Sequence, residues 1–268
     1  MKYGLQMYSV RDLTEHDLRG ALQQVAEMGY SFVEFAGFMG NSAEDVKNWL
    51  EEYGLQVSST HTPLAELEDE VLDQTIAYHK AIGCKDIIIP YAKLETKEQI
   101  DAFVERVNTL LPKLQAEGIS LHYHNHDCDF APTPEGLVPE EELLARTSIL
   151  LEVDTYWTFV AKQNPVEFIR RHKDRIRMIH LKDGMGDHTG KSPGPGRRPG
   201  EGSAPGRHRA GLPHDCGKRG PGPHRPGGSQ ALHRVSQGRG RQIRTQYKKI
   251  QKEEGRGLMP CPSSFSGS

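Results

Sequence analysis

Two apolar spacings alternate along the first 185 residues. Short runs rich in Val, Ile, Leu and Phe read as buried strands at 3–9, 32–36, 56–61, 86–90, 119–124, 149–154 and 176–181. Between them, residues 17–28, 43–53, 68–82, 97–117 and 165–172 space their apolar positions as amphipathic helices do. Asn41-Ser42 and Asn164-Pro165 mark helix starts, the second with Pro at the first helical position. Gly29, Gly54, Gly83 and Gly118 each follow a helix and precede a strand, as C-terminal caps do. Alternating β and α units predict an α/β fold with a parallel sheet: a (β/α)8 TIM barrel with seven recognisable strands, one short of closure.

Near Gly190 the pattern stops. From 191 to 240 about two-thirds of residues are Gly, Pro, Arg or His, without apolar periodicity. Up to residue 190 the chain carries roughly 32 acids against 18 bases, and beyond it roughly 4 against 16, so the net charge of −2 averages two unlike segments. The organisation expected is an incomplete barrel over 1–189 and a Gly/Pro/Arg-rich segment over 190–268. That segment reads either as a genuine disordered basic tail or as the product of a reading-frame shift in a GC-rich gene. The second reading is favoured. With suitable synonymous codons, residues 214–237 read from the second codon base give TIVESEGLDPTGPEEVKRCIEYLK: a strand ending in Glu, a loop and an amphipathic helix. The missing eighth strand then lies in the other frame, and a chain without it leaves two open sheet edges.

The N-terminal residues contain no apolar signal region, and no stretch approaches the length of a membrane span. Four cysteines lie far apart, so neither a disulfide framework nor a zinc ribbon is expected, and a reducing cytoplasm is the simplest location.

Three strands deliver polar clusters at their C-terminal ends: LHYHNHD (121–127), LLEVD (150–154) and MIHLKD (178–183). Strand alternation puts His122, His124 and His126 on one face and Tyr123 and Asn125 on the other; Glu152 and Asp154 also share a face. A lone His at a strand end is more often hydrogen-bonded structure than ligand. Three in one cluster, joined by Asp154 and His180 at the same barrel end, favour a catalytic Zn, Mn, Co or Fe site. Such a metal polarises a sugar oxygen and acidifies the neighbouring C–H, which a carboxylate base can deprotonate. Glu152 and Lys182 are the candidate catalytic groups. Gln6, Tyr8, Glu34, His61, His126, Trp157 and Asp183 are candidate substrate contacts, with Trp157 able to wall the pocket against a sugar face.

These residues resemble the sugar phosphate isomerase/epimerase family with its xylose-isomerase-like TIM barrel. The resemblance runs through GLQMYSVRD (4–12), GYSFVEFAG (29–37), SSTHTPL (58–64), YHNHD (123–127), LEVDTYW (151–157) and IHLKD (179–183). It implies a divalent metal (Mn, Mg, Co or Zn) held from strands 5 to 8: here by His124, where many relatives carry Glu, by Asp154, and by His180. The fourth ligand, a Glu ending strand 8, has no counterpart in the chain as it stands. In the other frame its codon straddles Gly217 and Lys218. The resemblance implies isomerisation or epimerisation of a sugar or sugar phosphate through an enediolate. A lyase acting on a keto-inositol or keto-glycoside is the alternative within enzymes. A DNA-repair endonuclease is disfavoured because the acidic barrel segment repels a phosphate backbone. A non-enzymatic nucleic-acid binder using the basic tail is the remaining class. A small-molecule sugar is the expected partner, with no membrane and with room for a homo-oligomer.

Overall fold

The computed structural model describes residues 3–184 and the pair at 190–191. The expected eighth strand and the reading-frame question over the basic segment lie outside the described residues. In chain order, β1 (Gly4–Gln6) leads to α1 (Arg11–Thr14) and α2 (Leu18–Glu27), and β2 (Phe32–Phe35) to α3 (Ala43–Tyr53). Then β3 (Gln56–His61) precedes α4 (Leu72–Ala81), and β4 (Asp86–Ile89) precedes α5 (Lys97–Ala116). β5 (Ser120–His124) leads to α6 (Pro139–Arg146), β6 (Leu150–Asp154) to α7 (Thr155–Val160) and α8 (Pro165–Arg171), and β7 (Ile176–His180) follows. The seven strands form one parallel sheet in strict chain order, β1 to β7. A helix between each neighbouring pair makes this the TIM barrel arrangement. A short antiparallel pair, β8 (Asp183–Gly184) with β9 (Gly190–Lys191), stands apart from it.

Local sequence explains the element ends. The side chains of Asp17, Ser42 and Asn164 accept backbone N–H groups in the first turns of α2, α3 and α8, and Pro165 opens α8. Gly54 closes α3 at φ 65°, a left-handed conformation that costs an L side chain strain. The first strand is shorter than the run 3–9 predicts. Residues Met7–Val10 turn into a 3-10 helix, whose three-residue repeat puts buried Met7 and Val10 on one face.

Each strand divides its residues between two interiors. Val33, Phe35, Ile87, Ile89, Leu121, Tyr123, Leu151 and Val153 pack outward against the helices. Their alternates Glu34, Ile88, His122, His124, Glu152 and Asp154 are buried on the opposite, inner face of the sheet. In β3 and β7 the alternation is interrupted. Val57 and Ile176 pack outward, but the register with the neighbouring strand steps by one residue at Ser58 and at Arg177. Beyond the steps, Ser59 pairs with inward Glu34 and His180 with inward Asp154. The extra residue in each strand thereby turns His61 and His180 into the barrel.

Candidate active site

The C-terminal ends of β2, β3, β5, β6 and β7 bring together Glu34, His61, His124, Glu152, Asp154 and His180. His61 Nε2 lies 2.8 Å from Glu152 Oε2 and 3.2 Å from Glu34 Oε1. His180 Nε2 lies 2.9 Å from Glu34 Oε1 and 3.2 Å from Glu152 Oε1. Asp154 Oδ2 is 3.5 Å from His124 Nε2 and 4.0 Å from His180 Nδ1. One donor atom from each of His61, His124, Glu152 and His180 falls within 4.8 Å of all the others. Ligands about 2.0–2.2 Å from a zinc-sized ion are at most roughly 4.3 Å apart, so this group is nearly closed enough for one cation.

The surrounding contacts hold these side chains in place. Asp154 Oδ1 accepts the backbone N–H groups of Tyr156 (2.9 Å) and Trp157 (3.0 Å) at the start of α7. Its backbone N–H donates to Asn125 Oδ1 at 2.9 Å, tying β6 to the end of β5. Its Oδ2, like Glu152 Oε1, is buried without a hydrogen bond. Gln6 Nε2 lies 3.3 Å from His61 Nδ1, and the Ser59 hydroxyl donates to Glu34. His122 sits deeper on the same face, 2.8 Å from Asp86, outside the cluster.

Three buried carboxylates in one cavity demand positive charge. Burial lowers the pKa of His180, but Glu152 and Glu34 outweigh burial and hold it well above the usual imidazole range. Burial raises Glu152, yet His180 and His61 pull it well below an ordinary carboxylate. Burial and the neighbouring Glu152 raise Glu34. Burial also raises Asp154, against the larger combined pull of His124, Lys182 and His180, which leaves it lowered. A cavity that draws a proton onto a buried histidine is one where a divalent cation can take the proton's place. The donor set and the unpartnered oxygens of Glu152 and Asp154 fit such an ion.

An aromatic wall borders the cluster. The His126 ring is 4.9 Å from that of His124, 5.7 Å from Trp157 and 5.9 Å from Tyr91. Lys182 Nζ lies 4.4 Å above the Trp157 ring and 3.7 Å from Asp154 Oδ2. Of the residues singled out from sequence, the structure thus gathers Gln6, Glu34, His61, His124, His126, Glu152, Asp154, Trp157, His180 and Lys182. Tyr8 is not gathered in; it is 58% exposed and stacks on Arg11 at 4.6 Å. Asp183 is described through its backbone in β8. His61, expected at the substrate, lies among the potential ligands. Ser59, Asn125 and Tyr91 were not singled out; SSTH and YHNHD carried two of them, but only cross-strand contacts reveal their part.

Known proteins with this arrangement agree on the fold. A sugar phosphate isomerase/epimerase from Parabacteroides distasonis superposes with a TM-score of 0.60 at 28% identity, over 71% of this chain and 82% of that one. An L-ribulose 3-epimerase superposes at 0.57 with 16% identity, over 74% of each chain, a likeness of fold. In sequence, the inosose dehydratase of Geobacillus kaustophilus is 25% identical over 186 residues, 60% of each chain. That of Clostridium botulinum (strain Alaska E43) is 23% identical over 192 residues, 63% of this chain and 64% of the relative. The chain therefore spans less than two thirds of these curated relatives. With residues 22–211 matching its sequence profile, the chain belongs to the xylose isomerase-like TIM barrel family.

Proposed function

We propose that this protein is a divalent-metal-dependent sugar isomerase or epimerase that moves a proton at a carbon beside a carbonyl. The observation that carries this reading is the half-tied carboxylate of Asp154. One oxygen is fixed by the N-terminus of α7, and the other is unpartnered and faces His124 and His180. His124, Asp154 and His180 would hold the ion. A cation such as Mn, Mg, Co or Zn there would polarise a substrate carbonyl or hydroxyl and acidify the adjacent C–H. Glu152, buried between His61 and His180, takes that proton, and His61 and Gln6 keep its carboxylate in place. Lys182 moves a proton at the substrate oxygen, while His126 and Trp157 form an apolar wall for the sugar face that excludes water. The Parabacteroides sugar phosphate isomerase/epimerase, at 28% identity, supports this chemistry.

A second reading shares the first step. The two inosose dehydratases among the relatives favour loss of water from a keto-inositol. There the C–H bond breaks with its proton passing to Glu152, the electron pair forms the enediolate, and the adjacent C–O bond then breaks as Lys182 protonates the leaving hydroxyl. Incubation of the metal-loaded protein with a panel of ketoses and inososes in D2O tests both. Deuterium entering the carbon beside the carbonyl, with an isomeric ketose or aldose as product, supports the first reading. A dehydrated product supports the second. No exchange into any substrate, with metal bound, would sink both.

A further inference from the structure

Behind the aromatic wall lies a second, fully buried polar group. His126 caps the 3-10 turn Asp127–Phe130 in a reciprocal box: its backbone N–H donates to Asp129 Oδ2 at 2.6 Å, and its side chain accepts the N–H of Asp129. Asp129 Oδ1 in turn accepts the hydroxyl of Tyr123 at 3.1 Å, from the outward face of β5. Asp129 and Glu140 are each 1% exposed, and neither oxygen of Glu140 has a hydrogen-bond partner. An ionised carboxylate without a partner in such a place is costly, whereas a neutral acid is tolerated.

We propose that Glu140 is kept as the neutral acid beside Asp129, and that its proton secures the turn through which Asp129 positions His126 against Trp157. Asp129 is then a positioning residue, and losing the Glu140 proton sets two negative charges together and loosens the cap. The groups around this pair leave it little compensation. Tyr123 from β5 donates to Asp129, and Asp127 adds negative charge from the turn itself. Arg175, before β7, is the cation felt by Glu140, but its guanidinium donates to the carbonyls of Ile149, Thr147 and Leu144. α7 packs on the turn and brings no charged residue, while Glu142 of α6 pairs with Arg146. Burial pushes Asp129 up to about 7, and burial followed by Asp129 pushes Glu140 up to about 8.

The inference rests on the proposed function only for what His126 does; the placement of its ring can be tested without metal or substrate. The full chain carrying Trp49→Phe leaves Trp157 as its fluorophore, 5.7 Å from the His126 ring. Its emission, followed from pH 6 to 9.5 in EDTA with circular dichroism as the control for folding, should shift with a midpoint near 8. Adding Glu140→Gln should abolish that shift, because the amide cannot ionise. Adding Asp129→Asn should give the shifted emission at every pH, because its amide cannot accept both N–H and O–H as the carboxylate does. A flat profile in the folded Trp49→Phe protein, or an unchanged midpoint in the Glu140→Gln variant, would overturn the proposal.

Discussion

His180 Nε2 lies 2.9 Å from Glu34 Oε1, although 146 residues and five intervening strands separate them. A flat sheet would hold β2 and β7 about five strand spacings of ~4.8 Å apart. Their contact shows that the sheet curls until its two flanks meet over a common interior, which creates the site.

Removing His180 should therefore remove the ion. His180→Ala is expected to weaken Mn2+ or Zn2+ binding, measured by titration calorimetry, by at least about 100-fold, more than loss of an outer-shell partner costs. Wild-type affinity in that variant would remove His180 from the ligand set.

Asp154 and Glu152 should separate by function. Asp154→Asn keeps an oxygen for the α7 cap but loses the charge facing His124, so metal affinity should fall while the melting temperature changes little. Glu152→Gln should keep the ion and lose turnover by roughly 100-fold or more, in the range of a general base. The reverse outcome would assign the ion to His61, His124, Glu152 and His180 instead.

Buried Glu140 makes a prediction about global stability. Below the ordinary carboxyl range both folded and unfolded states are protonated, and Glu140 makes no difference between them. As pH rises toward about 8, the unfolded chain ionises while the folded one does not, so stability falls across that interval. Urea midpoints at pH 5 and pH 8 should show the loss, and Glu140→Gln should flatten it.

Arg175 ties the approach to β6 by donating to Ile149, Thr147 and Leu144 carbonyls. Lysine has no planar fork to reach all three, so Arg175→Lys should cost on the order of 1–3 kcal/mol in chemical denaturation. An unchanged midpoint would show that water satisfies those carbonyls equally well.

The composition break near Gly190 also has a direct test, nucleotide sequencing across codons 186–245. An inserted or missing base would restore an eighth strand ending in Glu and supply a fourth candidate ligand. A confirmed frame would leave the segment as an authentic basic extension and shift the metal assignment onto β5 to β7.

The linear pattern sufficed for much of this. Apolar runs separated by capped amphipathic helices can bury their faces only as a parallel sheet under helices, so the strands were legible, as were Ser42 and Gly54 at the ends of α3. The cluster residues were visible too, because His and carboxylate at strand ends are rare without a purpose. What the sequence could not determine is which way β3 and β7 present their histidines. Simple alternation from Val57 and Ile176 sends His61 and His180 outward to the helices. The register steps at Ser58 and Arg177 reverse that, and they arise from pairing with β2 and β6. Pairing register is a property of two strands in contact, set by which side chains the shared interior accepts, and no single run of residues encodes it.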